Sequence, residues 1–179
     1  MDRKQQAQDP DAIAESKALL LAQRTAEVMF RRDAASKLIG LQLIEVRPGY
    51  ARVSMQVRAD MVNGHRTCHG GYLFTLADSA FAYACNSYNK NAVASACHID
   101  FVAPAFQDDV LDAECEERFQ AGRAGVYDAT VRNQTGEVVA LFRGKSHRIA
   151  GEVIAGLDVD AHRAGLPPAG EKHDRGERA

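Results

Sequence analysis

The sequence predicts an α+β domain in which an antiparallel β-sheet wraps around one long apolar helix. Three observations carry this expectation. Two strand-like segments precede residues 71–88 and four follow them. The stretch "GYLFTLADSAFAYACNSY" itself lacks strand alternation and is rich in Ala and Leu, which favours a helix. The turns Pro48-Gly49, Gly122 to Gly125 and Gln134-Thr135-Gly136 are short enough to join antiparallel neighbours. A sheet with a single apolar helix buries both only by curving around it.

Taken in order, residues 1–10 are polar and are expected to be disordered. From Asp11 to about residue 30, Ile13, Leu20, Ala22, Val28 and Met29 recur among charged residues at helical spacing. This predicts a mostly helical N-terminal extension over 1–32. "DAASKLIG" reads as a short second helix, with Asp33 as its N-cap and Gly40 as its stop. "LQLIEVR" and "YARVSMQVR" then predict a hairpin, because Ala51, Val53, Met55 and Val57 alternate with polar or amphipathic residues. After the central helix, which closes near Asn86 to Asn89, come "AVASACHIDFVAP", "DVLDAECEERFQ", "GVYDATVRN" and "VVALFRGKSHRI". These complete a domain over 33–152. Residues 153–179 lose periodicity and gain Gly, Pro and charge, so a disordered tail is expected there.

Composition narrows the function classes. The chain has 179 residues, 46% of them hydrophobic, which suffices for one core. Its 22 basic and 24 acidic residues are interspersed and leave a net charge of −2, so no global field would recruit nucleic acid or an anionic membrane. The opening lacks the apolar core of a signal peptide, and no apolar run approaches the ~20 residues of a membrane span. A cytoplasmic location is expected. Cys68, Cys85, Cys97 and Cys115 form no CxxC pair and read as reduced, packed thiols.

Between Arg66 and Lys90, Asp78 is the only formally charged side chain apart from His69. An acid on a helix enclosed by a sheet either faces solvent or faces a cavity, because burying it unpaired costs several kcal/mol. The loop before it weighs toward a cavity. His69-Gly70-Gly71 opens the helix with free backbone N–H groups, where a carbonyl oxygen that becomes negative can be held. Donor and carboxylate together point to acyl transfer to water, with Asp78 as general base or nucleophile. Eight residues of helix separate Gly70 from Asp78 by ~12 Å, yet a reacting carbonyl must lie within ~3 to 3.5 Å of both groups. The two are therefore expected to come from different subunits of a homo-oligomer. Asn63, just ahead of the loop, is a turn former that can also orient water or a carbonyl. His65, Cys68 and His69 lack a fourth ligand at a recognisable spacing, so no metal is expected. "RGKSHR", Arg143 to Arg148, reads either as charges protecting an edge strand or as a phosphate site.

"NGHRTCHGGYLFTLADSAFAYACNS", "AVASACHIDFVAP", "GVYD" and "VALFRGKSHRI" resemble the phenylacetic acid degradation thioesterase group of hotdog-fold acyl-CoA thioesterases, over about Leu41 to Ile149. The resemblance implies a hotdog fold in a tetramer built as a dimer of dimers, with active sites at the dimer interface. It implies hydrolysis of phenylacetyl-CoA and hydroxylated aryl-acetyl-CoA thioesters to free acid and coenzyme A. It makes Asp78 the catalytic acid and the Gly70 amide the group that polarises the carbonyl, with Asn63 and His69 lining the site. Gly71 and the strand residues Arg143, Gly144, Lys145, Ser146, His147 and Arg148 would hold the substrate and its coenzyme A. No cofactor or metal is expected beyond the coenzyme A of the substrate. The long N-terminal helix departs from the pattern. Two other functions compete: a hotdog dehydratase using His69 and Asp78, and a non-catalytic acyl-CoA sensor. The sensor would need an appended DNA-binding region, and the N-terminal segment lacks a convincing helix-turn-helix with a basic face.

Overall fold

Two aspartates start the N-terminal helices for the same reason: a carboxylate satisfies backbone N–H groups that a first helical turn leaves open. In the computed structural model, which describes residues 9–157, Asp9 accepts from the Asp11 N–H at 3.1 Å and Pro10 opens helix α1, Pro10–Arg32. Asp33 ends α1 and caps α2, Ala34–Leu38, accepting from the Ser36 N–H at 3.0 Å. Gly40, at φ 73°, turns the chain into the sheet. The expectations for residues 1–8 and 158–179 lie outside the described residues.

Strands β1, Gln42–Arg47, and β2, Tyr50–Gln56, form the expected hairpin, and Gly49 takes φ 70° in its turn. A short 3₁₀ turn, Ala59–Met61, leads through a loop to α3, Gly70–Asn86. Then come β3, Ala92–Phe101; β4, Val110–Ala121; β5, Ala124–Arg132; and β6, Val138–Arg148. The six strands make one antiparallel sheet in the order β1-β2-β4-β5-β6-β3. Strand β6 is thus interior, not an edge; the free edges are β1 and β3. The last strand lies between its hairpin partner β5 and the earlier strand β3, which crosses to the far side of the sheet.

Helix α3 packs on the sheet along its length, touching β2, β4, β5, β3 and β6. Leu73, Leu76, Ala77, Ala80, Phe81 and Ala84 are buried at the i, i+3, i+4 spacing of one helical face. Phe81 is central: its ring lies 5.4 Å from Tyr127 and 5.8 Å from Phe142 between centroids, in tilted and edge-on arrangements. A β-carbon on Gly144 would come within 2.9 Å of the Phe81 ring, so the ring occupies the space a side chain on β6 would need. At the end of α3, buried Asn86 donates to the Ala82 and Ala92 carbonyls, both at 3.0 Å, and accepts from the Ala92 N–H at 2.9 Å. Helix α1 lies on β1 and α3, and Ala22 and Ala26 join the same core.

The tail expected to be disordered from residue 153 is held for its first residues. Asn89 exchanges two hydrogen bonds with the Ile154 backbone, at 3.0 and 2.9 Å, and Arg32 donates to the Val153 carbonyl. The buried Asn89 side chain and the Arg32 guanidinium supply a tether that local composition conceals.

Removing the Phe81 ring leaves a cavity bounded by two other aromatic rings. Phe81→Ala is expected to lower stability by about 3–5 kcal/mol in urea denaturation at fixed protein concentration. A loss below about 1 kcal/mol would show that the core is centred elsewhere.

Candidate active site

Asn63 organises the loop that leads into α3. Its Oδ1 accepts from the His65 N–H at 2.8 Å and from the N–H and hydroxyl of Thr67, both at 3.3 Å. The loop is anchored where the Cys68 N–H donates to Ala105 and the His69 N–H donates to Met61, each at 2.8 Å. His69 then caps the helix: its backbone is extended, and its Nδ1 accepts from the Gly71 N–H at 3.0 Å. That bond requires Nδ1 to be unprotonated.

The cap divides the work of the two glycines. The N–H of Gly71, a residue expected to help hold the substrate, is engaged by His69. Among the described residues the Gly70 N–H has no acceptor. It stands at the first turn of α3, where the helix dipole adds to its pull on an oxyanion. A β-carbon at Gly70 would sit 3.0 Å from the Phe101 ring, so glycine lets the end of β3 close over this backbone. A cleft of about 490 Å³ opens here between the Gly70 turn and Phe101 to Ala105.

Asp78 lies two turns along α3 and is not the solvent-facing acid of the plainer reading. It is half-buried, and among the described residues its one partner is the Cys97 thiol, which donates to Oδ1 across 3.8 Å. Burial pushes its carboxyl above the usual aspartate range, and the Cys97 bond opposes this only in part. Asp78 opens into a cleft of about 470 Å³ whose other walls include Met29 and Arg32 of α1, Ser36 of α2, and Ser79 and Tyr83 of α3. No lining residue is shared between this cleft and that of Gly70. A single chain therefore presents the donor and the acid in different places.

The Arg143–Arg148 stretch is not one basic patch, because strand alternation sends its residues to opposite faces. Arg143, Lys145 and His147 are exposed, whereas Gly144 and Ser146 are buried toward α3. Of the residues expected to hold coenzyme A, Gly144 and Ser146 thus lie on the inner face of β6. Arg143 donates to Asp128 at 2.7 and 2.9 Å, and this pairing holds the Asp128 carboxyl below its ordinary range. Arg148 is half-buried, with its guanidinium 5.4 Å above the Tyr88 ring.

Among the described residues no group of three His, Cys, Asp or Glu side chains is placed to hold a metal ion. Burial pushes the Cys68 thiol up to about 11, with Asp109 adding to the effect, so it lacks the thiolate character of a nucleophile. The residue that sequence reasoning missed at this site is Cys97, which was grouped with the packed thiols.

A family model described as the thioesterase superfamily matches residues 65–140, the span from the Asn63 loop's His65 into β6. The acyl-coenzyme A thioesterase PaaI of Escherichia coli is 52% identical over 132 residues, which cover 74% of this chain and 94% of that protein. The chain belongs to the thioesterase superfamily. In structure it resembles the E. coli PaaI protein from the phenylacetic acid degradation operon, with a TM-score of 0.75, 51% identity and coverage of 75% of this chain and 98% of that one. A hypothetical thioesterase from Streptococcus pneumoniae, solved with coenzyme A, matches at a TM-score of 0.60 and 26% identity, covering 63% of this chain and 90% of that one. The sheet curled around α3 is the hotdog fold of this thioesterase group, as the sequence motifs implied. The long α1 precedes the part that the superfamily pattern spans.

The shifted carboxyl makes a stability prediction with a definite sign. A folded pKa above the unfolded one means that Asp78 contributes stability fully at low pH and loses it as pH rises through the folded pKa. Asp78→Asn, which is never charged, should therefore melt above the parent near pH 8, with the gap closing toward about pH 4. A gap independent of pH in thermal melts would contradict the assignment of the shift to burial.

Proposed function

We propose that this protein hydrolyses acyl-CoA thioesters, with phenylacetyl-CoA and hydroxylated aryl-acetyl-CoA as substrates, releasing the free acid and coenzyme A in phenylacetate catabolism. The relative at 52% identity is named for acyl-CoA thioester hydrolysis and supports the reaction class. The observation that carries the mechanism is a pair of groups on α3: among the described residues, the Gly70 N–H has no acceptor and the Asp78 carboxylate has no cation.

In this reading the Gly70 N–H donates to the thioester oxygen and strengthens its bond as the oxygen becomes negative. Asp78, its basicity raised by burial, takes a proton from the water that attacks the carbonyl carbon and passes it to the sulfur as the C–S bond breaks. Alternatively it attacks the carbon itself, expelling coenzyme A thiolate to be protonated by water and leaving an anhydride that a second water hydrolyses to the free acid. Asn63 keeps its Nδ2 for a water or carbonyl while Oδ1 holds the loop, and exposed His69 lines the approach. Lys145, His147 and Arg148 are the candidates for coenzyme A phosphates, with Arg143 reduced in weight by Asp128. Neither metal nor redox cofactor has a part.

The separate clefts call for a second copy of the chain, so that the Gly70 of one subunit serves the Asp78 of the other. The free edge of β3, with exposed Val93, Phe101 and Val102, is suited to bring two copies together, and two such dimers would make the tetramer. No described helix is long and apolar enough to cross a membrane. A cytoplasmic site of action fits the use of coenzyme A thioesters.

Free-thiol release from a panel of acyl-CoA substrates tests the reaction; tight binding without thiol release would instead identify a sensor. Asp78→Asn should lower kcat by about 10²–10⁴-fold with KM little changed, and a near-normal rate would remove Asp78 from the mechanism. Gly70→Pro deletes the donor at a first helical position that tolerates proline, after a residue already extended. Its ring requires the half-exposed Phe101 side chain to shift, so folding is checked by circular dichroism and thermal melting, and the folded variant should be inactive. Oligomers mixed from these two inactive proteins should recover activity, because a mixed dimer contains one site with both groups intact. Complete failure to recover would refute sharing of the site between subunits.

A further inference from the structure

Among the described residues, the single hydrogen-bond partner of Asp78 is presented by an irregularity in β3. Along the β3–β6 ladder Ala94 pairs with Ser146, Ala96 with Lys145 and Cys97 with Gly144, so Ser95 is an inserted residue. Paired residues share a face, and on β6 Ser146 and Gly144 face inward while Lys145 faces out. Ala94 and Cys97 therefore both point toward α3, although they are three residues apart. Strict alternation from Ala94 would instead turn Ala96 inward and Cys97 outward. The Ser95 hydroxyl donates to the Lys145 carbonyl at 3.0 Å, which fixes the bulge in place.

We infer that Cys97 is a positioning residue for the thioesterase reaction, its thiol hydrogen-bonding Oδ1 of Asp78 so that the carboxylate is oriented without losing its basicity. The inference rests on the reading of Asp78 as the catalytic acid. A thiol is a weak, long donor, and a hydroxyl or a cation in its place would stabilise the charged carboxylate more strongly. The bond spans 3.8 Å. Burial first, and the Asp78 charge second, push the Cys97 thiol up to about 11, so it stays protonated and donating near neutral pH.

The surroundings of Asp78 leave this role to Cys97. From α1 and α2 the cleft is faced by Arg32 and Asp33; Arg32 donates to the Val153 carbonyl, and Asp33 is occupied by Ser36. From α3 itself come Tyr83, whose hydroxyl donates to Asp33 at 3.5 Å, and Cys85, which donates to the Ala82 carbonyl. From β6 the residue opposite Cys97 is Gly144, without a side chain. From the C-terminal segment, the lining residue is Val153.

Cys97→Ala and Cys97→Ser, assayed for thiol release from phenylacetyl-CoA across pH, test the inference. The alanine variant should lose about tenfold or more in kcat with KM little changed, because orientation of a reacting group carries effects of this size. Its acid limb of kcat/KM should move to higher pH, since one interaction favouring the charged carboxylate is gone. The serine variant should recover part of kcat and move the acid limb to lower pH. Acid limbs that coincide with the parent's, or an effect confined to KM, would overturn the role while leaving the thioesterase reading intact. Full turnover in Asp78→Asn would overturn both the Cys97 role and the assignment of Asp78 as the catalytic acid.

Discussion

The enclosure of α3 by the sheet governs where charge can reside in this protein. One face of the helix, from Leu73 to Ala84, is committed to β2, β4, β5 and β6 around the Phe81 ring. Helical periodicity then leaves Thr75, Asp78, Ser79 and Ala82 as a stripe at i, i+3, i+4 and i+7. That stripe is half-buried and opens into the cleft it shares with α1, α2 and Val153. Asp78 is half-buried because its helix is a core element. Gly144 lacks a side chain because the same helix drives Phe81 into β6.

The two ends of the site answer to different local rules. At the N-terminus a histidine cap absorbs one glycine N–H and leaves its neighbour open, so a helix start becomes a directed donor. Two turns later the carboxylate depends on tertiary packing, through β3 and the N-terminal helices. Their separation along one rigid helix does not relax by side-chain motion, since ~12 Å of axial rise exceeds the reach of an aspartate. This rigidity gives the proposed subunit sharing its physical basis.

The helix and all six strands were legible because each is a long stretch with its own period or composition, and the turn residues separate them. Asp78 and Gly70 were legible because they break the pattern around them. The position of β6 was not: strand order depends on β3 crossing to the far side, which no local pattern records. Taking Arg143 to Arg148 as one coenzyme A stretch, as the resemblance implied, included Gly144 and Ser146, which strand alternation turns inward. Cys97 was hidden for another reason. In "AVASAC" nearly every side chain is small, so the parity change at Ser95 leaves no trace in the hydrophobic pattern. The tether of Asn89 to Ile154 spans 65 residues and likewise has no local signature.

Asp78 and Asp128 show how one residue type is given opposite tasks. Asp128 lies across the ladder from Arg143, bonded to it and to Arg118, and the arginines keep its carboxylate charged and of low basicity. Such an acid serves as a fixed ionic tie on the outer face of the sheet. Asp78 has burial without a cation, so its neutral form is favoured and its charged form is a stronger base. A salt bridge at Asp78 would steady the fold and weaken the base. The weak thiol donor of Cys97 adds little electrostatic stabilisation, which suits the proposed role of Asp78 as base or nucleophile. The cost appears as a folded state that loses stability as Asp78 ionises, the expected mark of a group held for chemistry.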